Sequence, residues 1–489
     1  MLFYIFRLEN IMIKPLLYIF IFIHFTLKSQ IGFDGVLNNF KTDADLQHAS
    51  YGFCVIDTKT GKTLKEYNSQ LALIPASTLK IITTGAALGI LKKDFTFKTN
   101  FSIVYKGDSI QTATLLALKV YGVGDPSFNS GYFYSNDSLF FSGLIKKIKL
   151  AGIKKINAIT IDNSIFNNSI PDSWIWGDIC NYFGASANGL SYKDNKFSIF
   201  YTSAQSNTLA KIESIKPDYF SKKIKIQSDV LSFGTEDEAY VYGNPNEYTR
   251  KVSGTIPTNK INYEIEAQMP EPEVYFNYEL TNVLKKNNLF SAKEKTDILE
   301  DNALKSKWIY THTSPKLEKI IFYTNTKSNN HYAESLLKTV GAIKTGKQGT
   351  TENGIEVVKK YWEARGINMS GLHMVDGSGL SRANTLTTKI QAEILTLIFN
   401  DTLMYEPFNN SLPIAGKNGS MTSLCKGTFA ENNLRAKTGY INRARGYCGY
   451  VKTKSGKNLA FSILFNNYDC SPKEMKLKIE KFLVALVEL

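Results

Sequence analysis

The stretch Ile74-Pro75-Ala76-Ser77-Thr78-Leu79-Lys80, continuing through Ile81-Ile82-Thr83-Thr84-Gly85-Ala86-Ala87-Leu88-Gly89-Ile90-Leu91, carries most of the information in this 489-residue chain. From Thr78 to Leu91 it is apolar nearly all round, the pattern of a buried helix. Ser77 stands at the start of that helix, where the positive end of the dipole favours a developing negative charge. Lys80 follows at i+3, so hydroxyl and amine share one helix face. A serine and a lysine so placed can form a covalent acyl intermediate without histidine, provided the amine is neutral enough to accept the serine proton. Burial disfavours the ammonium form, and a second fixed cation nearby pushes the same way.

Spacing alone does not select this pair. Ser-x-x-Lys occurs at Ser77/Lys80, Ser335/Lys338 and Ser423/Lys426; Lys-Thr-Gly begins at Lys59, Lys344 and Lys437; Ser-x-Asn begins at Ser127, Ser186 and Ser328. Context discriminates among them. Ser335 lies mid-helix among Ala333, Leu336 and Leu337, and Ser423 lies in a Gly-rich segment, so both read as structural. Lys59 falls in a hairpin turn between Tyr51-Ile56 and Thr63-Leu64, and Lys344 in a polar run between helices. Lys437-Thr438-Gly439 instead sits between Leu434-Arg435-Ala436 and Tyr440-Ile441, a strand setting in which Gly439 permits a peptide to approach the backbone closely. Lys437 then supplies the second cation.

The ordered set Ser77-Thr78-Leu79-Lys80, Ser328-Asn329-Asn330 and Lys437-Thr438-Gly439 resembles the three motifs of penicillin-binding proteins and serine β-lactamases. More narrowly it is similar to the D-alanyl-D-alanine carboxypeptidase/endopeptidase family, low-molecular-mass penicillin-binding proteins with a large insertion between the first two motifs. The long interval from Ser77 to Ser328 suits that family and is too long for a typical β-lactamase. Tyr121-Gly122-Val123-Gly124-Asp125-Pro126, Ile161-Asp162-Asn163-Ser164-Ile165-Phe166, Trp174-Ile175-Trp176 and Asp376-Gly377-Ser378-Gly379-Leu380-Ser381-Arg382 agree with it.

The resemblance implies an α+β transpeptidase domain, an antiparallel sheet flanked by helices, split by a β-rich insertion. It implies a serine D,D-peptidase acting on peptidoglycan stem peptides and acylated by penicillin. Ser77 would be the nucleophile, Lys80 its base, Ser328 a proton relay and Asn330 a partner of Lys80 and of the substrate amide. Lys437 and Thr438 would hold the terminal carboxylate, the backbone N–H groups of Ser77 and Tyr440 the oxyanion, and Asp162 the substrate's side-chain amine. A turn carboxylate is an equal reading of Asp162. Tyr440, where the family usually has Thr, and the basic run Arg443-Ala444-Arg445 depart from the pattern and bear on substrate preference. The alternatives are a β-lactamase, which needs a group to activate the deacylating water that the sequence does not identify, and a non-catalytic peptidoglycan- or penicillin-binding module, which intact motifs argue against.

Composition sets the outer bounds. At 43% hydrophobic and 21% charged the chain is ordinary for a compact protein, and its length calls for more than one structural unit. The net charge of +14 favours anionic surfaces, but the basic pairs are scattered and lack any nucleic-acid recognition signature. Met12-Ile13-Lys14 followed by the apolar run Leu16 to Leu27 reads as a secretory leader over residues 1–28, implying export to the periplasm or cell envelope; left uncleaved, it would tether the protein to the membrane. The five cysteines lack a CxxC pair and do not form a disulfide framework, and the five histidines lack metal-ligand spacing, so neither metal nor cofactor is expected. We expect the first part of the catalytic domain at 29–98, a β-rich insertion at 99–299 and the second part of the catalytic domain at 300–489, ending in a core-packing amphipathic helix from Lys476 to Leu489.

Overall fold

Strand Asn458–Asn466 shows why the central sheet is covered on both faces. Its side chains alternate between two cores: Ala460 and Leu464 join one apolar cluster, while Leu459, Phe461, Ile463 and Phe465 join the other. Such a two-sided strand must lie inside a sheet with cover above and below. The computed structural model, which describes residues 32–113, 115–134, 138–291 and 304–489, places it third of five strands. The order is Arg435–Ile441, Ala444–Lys452, Asn458–Asn466, Ser50–Asp57 and Thr63–Tyr67, antiparallel throughout. The secretory-leader reading lies outside the described residues.

One face is covered by helices Phe33–Thr42 and Pro472–Ala485, whose Phe33, Phe40 and Phe482 pack on Phe53 and Phe465. The C-terminal segment thus packs into the core as its apolar spacing predicts. The other face carries helices Lys80–Leu91, Leu317–Thr326, Asn330–Thr345, Thr351–Glu363 and Thr388–Asn400, which share one cluster with Cys448, Tyr450 and Leu464. Each large apolar side chain so buried contributes about 1.5–3 kcal/mol. This is the expected antiparallel sheet flanked by helices.

Among the described residues, the chain between the first and second motifs forms four small sheets. The largest, in the order Lys305–Thr313, Lys98–Lys106, Leu115–Tyr121 and Ala158–Asp162, takes one strand from beyond residue 299. Helices Ser138–Leu150 and Pro272–Lys286 pack with these sheets around a separate core centred on Phe101, Phe128, Tyr192 and Phe276. All five cysteines are free thiols, four of them buried. Among the described residues no helix is long and apolar enough to cross a membrane.

Candidate active site

The apolar helix Lys80–Leu91 is preceded by a single 3₁₀ turn, Ala76–Leu79, which holds Ser77 at its mouth. Ala76 has φ +47°, a left-handed backbone that costs a residue with a Cβ about 1–2 kcal/mol. The turn is pinned by its neighbours. A Cβ on Gly379 would lie 1.9 Å from the Ala76 carbonyl, and one on Gly439 would lie 2.5 Å from the Pro75 carbonyl and 3.1 Å from the Ser77 amide nitrogen. The close approach that Gly439 permits is therefore that of strand Arg435–Ile441 to the turn that carries Ser77.

Lys80 is fully buried, and its Nζ donates to three oxygens: Ser77 Oγ at 2.9 Å, Asn330 Oδ1 at 2.6 Å and the Ser378 carbonyl at 2.7 Å. Burial, followed by the charge of Lys437, holds its ammonium well below the usual lysine range; Asp376 and Glu334 oppose this. Asn330 caps the arrangement from the start of helix Asn330–Thr345 and donates its Nδ2 to the Phe183 carbonyl at 2.8 Å, leaving one amide hydrogen for a substrate. Ser328, at φ +56°, accepts from Lys437 Nζ at 2.9 Å. Burial brings Lys437 down to about 7. Thr438 Oγ1 donates to Ser420 Oγ at 2.7 Å, and Tyr440 stands half-exposed with the Arg445 guanidinium 5.2 Å from its ring centre.

Ser77, Ser328, Asn330 and Tyr440 open on one cavity of about 640 Å3. Asp162 does not line it: its carboxylate accepts from Ser164 Oγ at 2.6 Å and pairs with Lys119 at 3.3 Å, at the end of strand Ala158–Asp162. The decoys also separate. Lys338 Nζ is held by the carbonyls of Asn167 and Ser169 at 2.8 and 3.0 Å, Ser423 accepts from Lys476, and Lys59 lies in the exposed turn of the first hairpin.

The motifs assign no role to several further contributors. The chain between the first two motifs sends Tyr240 and Tyr242 to the cavity wall, and Asp178 and Arg382 face each other there at 3.8 Å. Beneath Lys80 lies a buried acidic pair. Glu334 accepts from the Gly377 amide at 2.9 and 3.0 Å, and Asp376 accepts from the amides of Ser378, Gly379 and Ser381 and from Trp174 Nε1. Glu334 was discoverable, being four residues after Asn330 and hence on the same helix face.

An amine poised on a serine hydroxyl, at the joint of a helix bundle and the edge strand of an antiparallel sheet, defines a serine acyl-transferring enzyme of the penicillin-binding kind. The sequence matches the D-Ala-D-Ala carboxypeptidase 3 (S13) family over residues 34–486, and the chain belongs to that family. It is 25% identical to the D-alanyl-D-alanine carboxypeptidase of Actinomadura sp. (strain R39), over 87% of this chain and 79% of that protein. It is also 25% identical to the D-alanyl-D-alanine carboxypeptidase DacB of Haemophilus influenzae, over 88% of each. In fold it resembles the crystal structure of penicillin-binding protein 4 (dacB) from Haemophilus influenzae, with TM-score 0.73 and 22% identity, covering 90% of this chain and 97% of that one.

Proposed function

We propose that the chain is a serine D,D-peptidase of peptidoglycan stem peptides, releasing terminal D-Ala or cleaving D-Ala cross-bridges through an acyl-enzyme on Ser77. The observation that carries this reading is the Lys80 amine, buried, depressed in pKa and 2.9 Å from the Ser77 oxygen. Lys80 takes the hydroxyl proton as Ser77 Oγ attacks the carbonyl of the penultimate D-Ala. The oxyanion is received by the N–H groups of Ser77 and Tyr440, contacts of a kind whose loss costs about two to three orders of magnitude in rate. The proton that Lys80 took passes to the leaving amine by way of Ser328, which gives up its own hydroxyl hydrogen and takes one in exchange as the carbon–nitrogen bond breaks, so that Lys80 is neutral again. Lys437 and Thr438, whose hydroxyl is already oriented by Ser420, bind the terminal carboxylate. Water then hydrolyses the ester and returns Ser77.

The same proposal includes covalent acylation by β-lactams, and a structure of the Haemophilus influenzae protein is described as complexed with a novel β-lactam. It also includes export, with the segment at 1–28 as leader, and the division of the catalytic domain by an insertion at 99–299, whose largest sheet extends to Lys305–Thr313. Labelled penicillin mapped by mass spectrometry tests the nucleophile, and D-alanine release from a pentapeptide tests the reaction, with Ser77→Ala as control. A label landing elsewhere on folded protein would end the mechanism, and rapid turnover of the penicillin would replace the peptidase by a β-lactamase.

A further inference from the structure

Three recesses of the described surface share walls. The cavity that holds Ser77 is bounded on one side by Tyr132, Asp194 and Lys196. The same three residues wall a second recess of about 500 Å3, whose lining also includes Lys216 and Pro217. Those two in turn wall a third, of about 1180 Å3, together with residues of helices Ser138–Leu150 and Pro272–Lys286. Shared walls therefore set the three recesses in a row that runs from the cavity of Ser77 to helices Ser138–Leu150 and Pro272–Lys286, a track of adjoining recesses.

The far end of the track has a definite chemistry. Its floor is apolar, with Phe141, Ile145 and Val283, and Lys146, Lys149, Lys216 and Lys286 stand exposed around it. The two acids on its walls are already engaged, Asp218 with Lys216 at 2.6 Å and Glu279 with Lys193 at 3.3 Å. The surplus charge is positive. Tyr219 and Tyr278 pack with ring centres 4.6 Å apart, and Tyr278 is 44% exposed, so an aromatic surface borders the lysines. Aromatic faces suit the apolar faces of sugar rings, and lysines suit carboxylates.

We propose that this track is a docking site for a peptide-free stretch of the peptidoglycan glycan strand, whose lactyl carboxylates are unamidated, held in the basic aromatic groove while a stem peptide further along the same strand reaches Ser77. The identity of the polymer rests on the peptidase reading above; the track itself does not. Continuity with the nucleophile's cavity favours a strand over an anionic bilayer, because a bilayer meets a flat or convex face and does not follow a series of recesses. Holding the polymer at a second point raises the effective concentration of its peptides at Ser77 without new contacts there.

The test uses the full chain carrying Ser77→Ala, with glycan strands stripped of peptides by an amidase as the probe, each disaccharide then bearing one carboxylate. Binding should weaken with added salt and fall about tenfold when Lys146→Glu and Lys286→Glu are combined, and Tyr278→Ser should weaken it as well. In the active protein the same substitutions should lower D-alanine release from whole sacculi about tenfold and leave release from a soluble pentapeptide unchanged. Equal binding and equal release by variant and parent would overturn the proposal, as would capture of anionic vesicles in place of glycan or equal loss on sacculi and pentapeptide. If the parent neither takes the penicillin label nor hydrolyses the pentapeptide, the peptidase reading fails, and the glycan-binding measurement still decides the track.

Discussion

Lys80 and Lys437 are both fully buried, and the Lys437 charge disfavours the ammonium form of Lys80. Burial and then the Lys437 charge hold the Lys80 ammonium well below the usual lysine range, the direction its proposed role as base requires, while Lys437 is brought down to about 7. The sign of the coupling is testable. Removing the Lys437 cation relieves the repulsion and lets the Lys80 pKa rise. In Lys437→Gln the first-order rate of penicillin acylation at saturation should therefore reach its plateau at a higher pH than in the parent. An unshifted profile would detach Lys437 from the base.

Glu334 acts one step further away. Its carboxylate holds the Gly377 amide, and the next residue presents the carbonyl that receives Lys80. Burial, then the Asp376 charge, pushes Glu334 up to about 7. Glu334→Gln keeps the volume but weakens the grip on Gly377, and losing a charge-assisted bond of this kind costs about 1.5–3 kcal/mol. Acylation should slow about tenfold while urea denaturation gives a stability loss in that range. A change in stability with an unchanged acylation rate and pH profile would make the residue purely structural.

At the scale of elements, the site is the meeting of a 3₁₀ turn with an edge strand, and the fit is set by atoms that are missing. Gly439→Ala would place a methyl 2.5 Å from the Pro75 carbonyl, in a gap that backbone occupies on both sides. Either the strand moves out or the turn carrying Ser77 moves in, and a displacement of about 1 Å is enough to cost roughly a hundredfold in rate. Acylation by penicillin should fall by that factor with little change in the far-ultraviolet circular dichroism; near-parental kinetics would mean that the turn yields freely.

The same comparison explains what was legible beforehand. Helix Lys80–Leu91 and strand Arg435–Ile441 could be read because their side chains repeat with helical and strand periods and their motifs occur in a fixed order. The Ser378 and Phe183 carbonyls could not, since a backbone oxygen is shared by every residue type and only the fold aims it at Lys80 or Asn330. Tyr240 and Tyr242 were hidden for a different reason. Short strands such as Tyr240–Tyr242 carry too few residues to show a period, and their place on the wall of the cavity that Ser77 lines depends on contacts distant in the chain. Asp162 shows the converse, a residue legible by family position whose carboxylate this fold gives to Ser164 and Lys119.

Across the whole molecule, helix Asn330–Thr345 is the beam to which the inserted region is fastened. Asn330 donates to the Phe183 carbonyl, His331 meets the Ser186 carbonyl at 3.0 Å, Tyr332 bonds Ser130 at 2.7 Å and Asp194 at 2.9 Å, and Lys338 holds the carbonyls of Asn167 and Ser169. The lysine of the second Ser-x-x-Lys pair is thus a clamp between the helix and the 163–187 segment. Burial lowers Lys338 to about 8, so at neutral pH it is largely cationic and donates through all three hydrogens. Lys338→Met removes those donors and leaves buried carbonyls without partners, at about 1–3 kcal/mol each, offset in part by the ammonium desolvation that disappears with it. A net loss of about 2–4 kcal/mol is expected in urea denaturation. Because Phe183 lies on the released segment and Asn330 depends on it, penicillin acylation of Ser77 should slow as well, by about tenfold, and limited proteolysis should cut first between 163 and 175. Parental acylation in a protein that is clearly destabilised would show that the clamp serves the fold alone and that the Asn330 geometry is set from the catalytic side.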